Sequence, residues 1–229
     1  MFFWDPTYIF VLIGAAICLI ASARMKSTFH KYQAIPSNSG MTGRDAAERI
    51  LQQNGLYDVQ IQPVSGDLTD HYDPRTKTIS LSTATYKSTS VAAIGVAAHE
   101  CGHALQHAKG YLPLGMRGAL LPVAKFGSML AWPIIIAGFF IGGESALLLI
   151  DIGIILFSAA VLFQIITLPV EFNASSRALK ALTASGILDE KEVGDSKKVL
   201  SAAALTYVAG AAAMILQLLR LLVLRDRRR

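Results

Sequence analysis

The stretch VAAIGVAAHECGHALQH, residues 91–107, carries His99, Glu100 and His103 in the spacing H-E-x-x-H. It reads as a helix, with Ser88, Thr89 and Ser90 available as N-caps, an Ala- and Gly-rich start that permits close packing, and a stop near Gly110 and Pro113. At 3.6 residues per turn, His99 and His103 stand one above the other on one face. Two imidazoles so placed suit a single zinc ion, and Glu100, about 100° round the helix, is placed to act on water as general base. The pattern predicts a metal-dependent hydrolytic centre. The rest of the chain has to supply the missing ligand and to place this helix.

Of the 229 residues, 53% are hydrophobic and only 16% charged, against about 25% charged in ordinary soluble domains. That balance predicts a membrane protein. The formal net charge of +5 lies mostly beside apolar runs rather than among aromatics, so it reads as orientation signals and contacts to anionic headgroups, with no nucleic-acid partner. Cys18 falls in an apolar run and Cys101 on the histidine helix, which argues against a disulfide framework.

The chain opens with Phe2, Phe3, Trp4 and Tyr8 and runs apolar to Ala23, long enough to span a bilayer with its aromatics at the interface. Its positive charges, Arg24, Lys26 and Lys31, follow the apolar core instead of preceding it, which favours a retained anchor over a signal peptide and puts the end of the anchor in the cytoplasm. After the linker PSNSG at 36–40, residues 42–55 read as a capped helix ending at Gly55. VQIQPV at 59–64 alternates as a half-buried strand does, and LTDHY and TISLS, joined by DPRTK at 73–77, read as a β-hairpin. An edge strand beside a zinc helix suits an extended peptide, so the hairpin is expected to border a substrate cleft.

Two apolar runs follow, 120–141 and 146–168, joined by GGES. A connection this short makes them an antiparallel transmembrane hairpin that returns Glu171 to the side of His103. Lys125 is expected to snorkel to the inner interface, and Asp151, near the outer one, to be solvated. VEFNASSRALKAL is helical in pattern, GILDEKEVGDSKK at 186–198 reads as a solvated surface, and residues 200–224 are apolar but broken by Gln217 and Arg220 before an arginine-rich tail. A crossing here would put that tail outside, against the usual charge asymmetry. Crossing and lying along the membrane or the catalytic region therefore both stay open.

A catalytic zinc usually has three protein ligands and an open position. His107 continues the i, i+4 series but lies about 12 Å along the helix from His99, too far for one ion. Cys101 points roughly 200° away and suits a core position. His71, on the hairpin, is better placed for substrate than for metal. Glu171, delivered back by the transmembrane hairpin, is the preferred third ligand.

HECGH, the apolar hairpin and PVEFNASSRAL, together with LTDHYDPRTKTISLS, resemble the YugP-type membrane zinc metallopeptidases over nearly the whole chain. More distantly the chain is similar to HtpX-type membrane proteases and CAAX prenyl proteases, gluzincins in which H-E-x-x-H is followed by E-[FY]-x-A-D. The resemblance implies Glu171 as third zinc ligand, with Phe172, Asn173 and Ala174 continuing the motif. Ser175 stands where those distant relatives carry an Asp that orients a zinc histidine. No histidine follows His107, so oxyanion stabilisation falls to Arg177, Tyr207 or His71.

The expected fold is a mainly α membrane protein: an N-terminal transmembrane anchor (1–24), a small α+β zincin-like catalytic region with a β-hairpin (25–117), a central transmembrane helical hairpin (118–169), a third-ligand helix and charged stretch (170–199), and a C-terminal apolar helix (200–229). The expected function is a zinc-dependent membrane endopeptidase, one Zn2+ per chain, cleaving membrane or membrane-adjacent polypeptides on the cytoplasmic side of a prokaryotic cell membrane. Its main rival is a non-catalytic scaffold with a structural zinc, which requires a fourth protein ligand such as His71 or Cys101. A metal transporter would need more polar residues along its spans than Asp151 and Lys125.

Overall fold

The computed structural model describes residues 5–141 and 144–227. Phe2, Phe3 and Trp4, the Gly142-Gly143 step of the apolar hairpin, and Arg228 and Arg229 lie outside the described residues. The element order is α1 (Tyr8–Gln33), α2 (Gly43–Gln53), β1 (Gln60–Val64), β2 (His71–Asp73), β3 (Thr78–Ser82), α3 (Thr83–Tyr86), α4 (Val91–Ala108), α5 (Leu112–Ile141), α6 (Glu144–Ser185) and α7 (Glu190–Asp226). Among the described residues four helices, α1, α5, α6 and α7, are long and apolar enough to cross a membrane. With one small three-stranded sheet in addition, this is a mainly α membrane protein.

By contacts the chain divides into two units, one of Met1–Ser22, Gly115–Leu168 and Thr206–Arg229, the other of Ala23–Leu114 and Pro169–Leu205. In the first unit, Ala131, Ile135, Ile150, Ile154, Phe157 and Leu221 form the buried core. Helices α5 and α6 meet closely: a Cβ on Gly127 would stand 2.9 Å from the Leu156 carbonyl oxygen, the small-residue packing expected where lipid supplies no hydrophobic drive. The basic end of α7 is matched by acids. Arg225 holds Asp151 through two 2.8 Å bonds, Arg227 holds Asp5 at 3.0 Å, and the Arg220 guanidinium lies 4.3 Å from the Tyr8 ring centroid. Asp151 was expected to be solvated; it is paired instead, because α7 brings Arg225 to it. The start of α1 and the end of α7 thus meet at one end of this unit.

The second unit is built on α4. Ser90 caps it, its hydroxyl accepting from the Ala93 N–H at 3.2 Å, and Ile94, Ala97, Ala98 and Cys101 enter a core with Ile50 and Leu51 of α2, Ile79 and Leu81 of β3, and Leu182 of α6. Helix α2 begins with a capping box between Thr42 and Asp45. The sheet order is β1-β3-β2, with β1 parallel to β3 (Ile61 opposite Ile79) and β2 antiparallel to it (Tyr72 opposite Ile79). Central β3 is buried along its whole length. Asp70 pins the hairpin, its carboxylate accepting from the Ser82 N–H at 2.8 Å and hydroxyl at 2.9 Å.

Two stretches differ from the sequence expectation. Helix α6 runs through Pro169 without a break. The charged stretch is no loose surface: after Asp189 it is already the first turns of α7, where Asp189 and Glu192 cap each other through their backbone N–H groups at 2.8 and 2.9 Å. Glu192 and Ser196 are buried there, Ser196 against Gly95 of α4. The 36–40 linker is strapped down as well, Asn38 donating its N–H to Glu192 at 2.6 Å.

Candidate metal centre

Helices α4 and α6 cross at their small residues. A Cβ on Gly102 would fall on the Ala174 carbonyl oxygen, with the carbonyl carbon at 2.9 Å. This contact lets α6 bring Glu171 over the two histidines. His99 Nε2 lies 3.2 Å and His103 Nε2 3.6 Å from Glu171 Oε2, and the three donor atoms lie within 4.8 Å of one another. Donors held at about 2.0–2.2 Å round a tetrahedral zinc stand roughly 3.3 Å apart; the two histidine–Glu171 separations match that spacing, and the cluster as a whole, within 4.8 Å, would draw in slightly round the ion.

The far side of each imidazole is held. Ser175 Oγ lies 3.1 Å from His99 Nδ1. Gln106, fully buried, donates from Nε2 to the Val170 carbonyl at 2.8 Å and to Asn173 Oδ1 at 3.0 Å. The Val170 carbonyl can only accept, which fixes the amide orientation and turns Oε1 towards His103 Nδ1 at 3.0 Å. Nδ1 therefore carries a proton, and Nε2 faces a carboxylate. A cation, either a proton or a metal ion, belongs between Nε2 and Glu171.

The electrostatics agree. Burial pushes the Glu171 carboxyl up, but hydrogen bonds from His103 and His99 outweigh it and hold the group well below the usual carboxylate range. Burial lowers His103, and the Glu171 partner more than reverses this, so His103 ends above its ordinary value. Glu100, only 6% exposed, is raised by burial against the lowering charges of His99 and His103, which suits a carboxylate that takes up a proton.

A family model described as "Putative neutral zinc metallopeptidase" matches residues 7–226. The chain belongs to this zinc metallopeptidase family. It is 48% identical over 218 residues to the "Putative membrane protease YugP" of Bacillus subtilis (strain 168), covering 95% of this chain and 96% of that one. No solved structure matches.

The other residues singled out in this metallopeptidase are placed as follows. Cys101 is buried away from the donors, its Sγ 3.6 Å from the Ala47 carbonyl, and burial pushes its thiol up. His107 meets the Tyr72 hydroxyl at 2.8 Å, and His71 is exposed on β2 with Nδ1 2.8 Å from the Thr69 carbonyl. Arg177 donates from Nε to Asn173 Oδ1 at 2.7 Å and lies over the Tyr111 ring. Tyr207 belongs to the other unit. Gln106 is the residue that sequence inspection passed over. Its signal was a glutamine three positions past His103 on a helix with little polar surface, where a buried amide must find partners.

Proposed function

We propose that this metallopeptidase is a gluzincin-type endopeptidase with zinc on His99, His103 and Glu171 and with Glu100 as general base. The observation that carries the proposal is the three-donor cluster: among the described residues no fourth side chain joins it, and His71 and Cys101, the ligands a structural site would need, are engaged elsewhere. Three protein ligands leave a position open for chemistry. When bound there, zinc supplies Lewis acidity towards a carbonyl and makes water more acidic.

The chain's own residues do the rest. Glu100 takes the proton from the attacking water on its carboxylate and passes it to the leaving amine. Ser175 and Gln106 hold the rings of His99 and His103 so that both Nε2 atoms face inward. Strand β2, the edge next to buried β3, offers main-chain pairing to an extended substrate. Arg24, Lys26 and Lys31 follow the apolar part of α1 and belong to the same unit as the metal donors, which favours a cytoplasmic site and membrane or membrane-adjacent polypeptides as substrates. The test is zinc quantitation and chelator-sensitive cleavage of casein or an unfolded membrane protein by purified protein. Glu100→Gln should keep zinc and lose about 10²–10⁴-fold in rate; a fully active Gln variant refutes the mechanism.

A further inference from the structure

A second cavity, about 650 Å³, lies in the same unit between the end of α1 and the start of α7. Arg24, Ser27, Thr28 and Lys31 line it from α1 at i, i+3, i+4 and i+7, and Lys197, Lys198 and Ser201 line it from α7. No carboxylate is among the lining residues. Lys198 is partly neutralised by Asp195 at 2.8 Å, and the Lys31 and Lys198 ammonium groups both lie over the Tyr32 ring, 5.4 and 5.7 Å from its centroid. Arg24 and Lys197 have no acidic partner among the described residues. Two helices thus turn basic, hydroxyl-bearing stripes towards each other, an arrangement that repels itself unless an anion lies between.

The height of the groove narrows the choice of anion. Arg24 directly follows the apolar run of α1, and Ala202 and Leu205, where α7 turns apolar, complete the lining. The lining thus joins cationic side chains to apolar Ala202 and Leu205 at the point in the sequence where the apolar runs of both helices end, the usual place for contacts to anionic headgroups. We propose that it binds an anionic glycerophospholipid of the bilayer, with the headgroup phosphate held by Arg24, Lys31 and Lys197 and the first acyl carbons against Ala202 and Leu205.

The bound lipid also has mechanical consequences. The same segments of α1 and α7 present Phe29, Tyr32 and Val199 to Ala92 of α4, and Ser196 donates to the Val91 carbonyl at 3.1 Å. A lipid that offsets the charge between them supports the first turns of the helix that carries His99.

The full chain, delipidated in neutral detergent, would be given phosphatidylglycerol or phosphatidylcholine and its retained lipid counted by native mass spectrometry, with thermal melts alongside. Phosphatidylglycerol should be retained preferentially and raise the melting temperature, phosphatidylcholine should do neither, and millimolar inorganic phosphate should not displace the lipid. Arg24→Gln, Lys31→Gln and Lys197→Gln should each lower retention roughly fivefold, while Lys109→Gln with Lys180→Gln, in a different basic cavity, should leave it unchanged. Should Arg24→Gln or Lys31→Gln fold poorly, Lys197→Gln, at an exposed position, carries the test. Equal retention of the two lipids, wild-type retention by a folded variant, or displacement by phosphate alone overturns the proposal.

Discussion

Gly102→Ala isolates the contact on which the metal centre depends. The new methyl would overlap the Ala174 carbonyl oxygen and stand 2.9 and 3.1 Å from the Ala174 carbonyl carbon and Cα. Carbon atoms in good contact lie about 3.5–4.0 Å apart, so α6 must retreat by roughly 0.5–1 Å. Glu171 sits one turn before Ala174 on that helix and retreats with it. Metal sites hold their distances to about ±0.2 Å, so the donors lose their common centre, and zinc affinity should fall by about 10–100-fold or more. Stability is a poorer guide to the outcome: overpacking costs about 1–3 kcal/mol, and replacing a helical glycine by alanine returns about 0.5–1 kcal/mol. Gly118→Ala, on α5 with nothing within 4 Å of its Cβ, is the matched control and should be neutral or stabilising. The assay is competition for zinc against a chromogenic chelator in detergent. Wild-type affinity in Gly102→Ala would refute the claim that this approach sets the ligand distances.

Gln106→Leu strands His103 Nδ1 and removes one bond each from the Val170 carbonyl and from Asn173 Oδ1, which still accepts from Arg177; about 1–3 kcal/mol is expected for the group left unpaired and a 10–100-fold drop in zinc affinity, read by melts and by the same competition. Thr42→Val removes the α2 cap at a cost of about 1 kcal/mol. The Thr42 hydroxyl bond holds the Asp45 carboxyl below its ordinary value, and a depressed carboxylate stabilises above its unfolded pKa of about 3.9 and loses that contribution as pH falls further; the gap between variant and wild type should be constant from pH 5 to 7 and narrow below about 4. For the last helix, the pairing of Arg227 with Asp5 predicts that a cysteine introduced by Arg227→Cys is labelled by an impermeant maleimide from the same side as one introduced by Asp5→Cys, and labelling from opposite sides would contradict a crossing α7.

How much of this was legible in the sequence depends on the range of the interaction. H-E-x-x-H is local: its geometry follows from the helical period alone, which brings the His99 and His103 ring centroids to 4.8 Å. Glu171 needed the two apolar runs to be counted and their connection to be short. The pairing of Asp151 with Arg225 was not readable, since it depends on which face α7 turns towards α6, and a charged tail after an apolar run carries no sign of the acids it meets. The amide of Gln106 was hidden for another reason. Its role depends on the Val170 carbonyl and the Asn173 side chain of a helix more than sixty residues away, and its one local sign, a place three residues past His103 on a helix with little polar surface, does not say what it meets. Pro169 marks no element boundary: a proline inside α6 costs a hydrogen bond, yet the helix continues through it.

The metal donors are held by a scaffold that forms from burial and hydrogen bonds. Ala174, Ala178 and Leu182 of α6 are wholly buried, and Ala178 and Leu182 share one core with Ile94, Ala97, Ala98 and Cys101 of α4; a side chain such as Leu182 contributes about 1.5–3 kcal/mol on burial. A zinc finger, in contrast, has no such scaffold and owes its fold to the metal. The α4 and α6 segments that carry the three donors are separated in sequence by the whole of Gly115–Leu168, so the position of α6 beside α4 decides whether the donors meet. The Gly102–Ala174 contact is where that position is set.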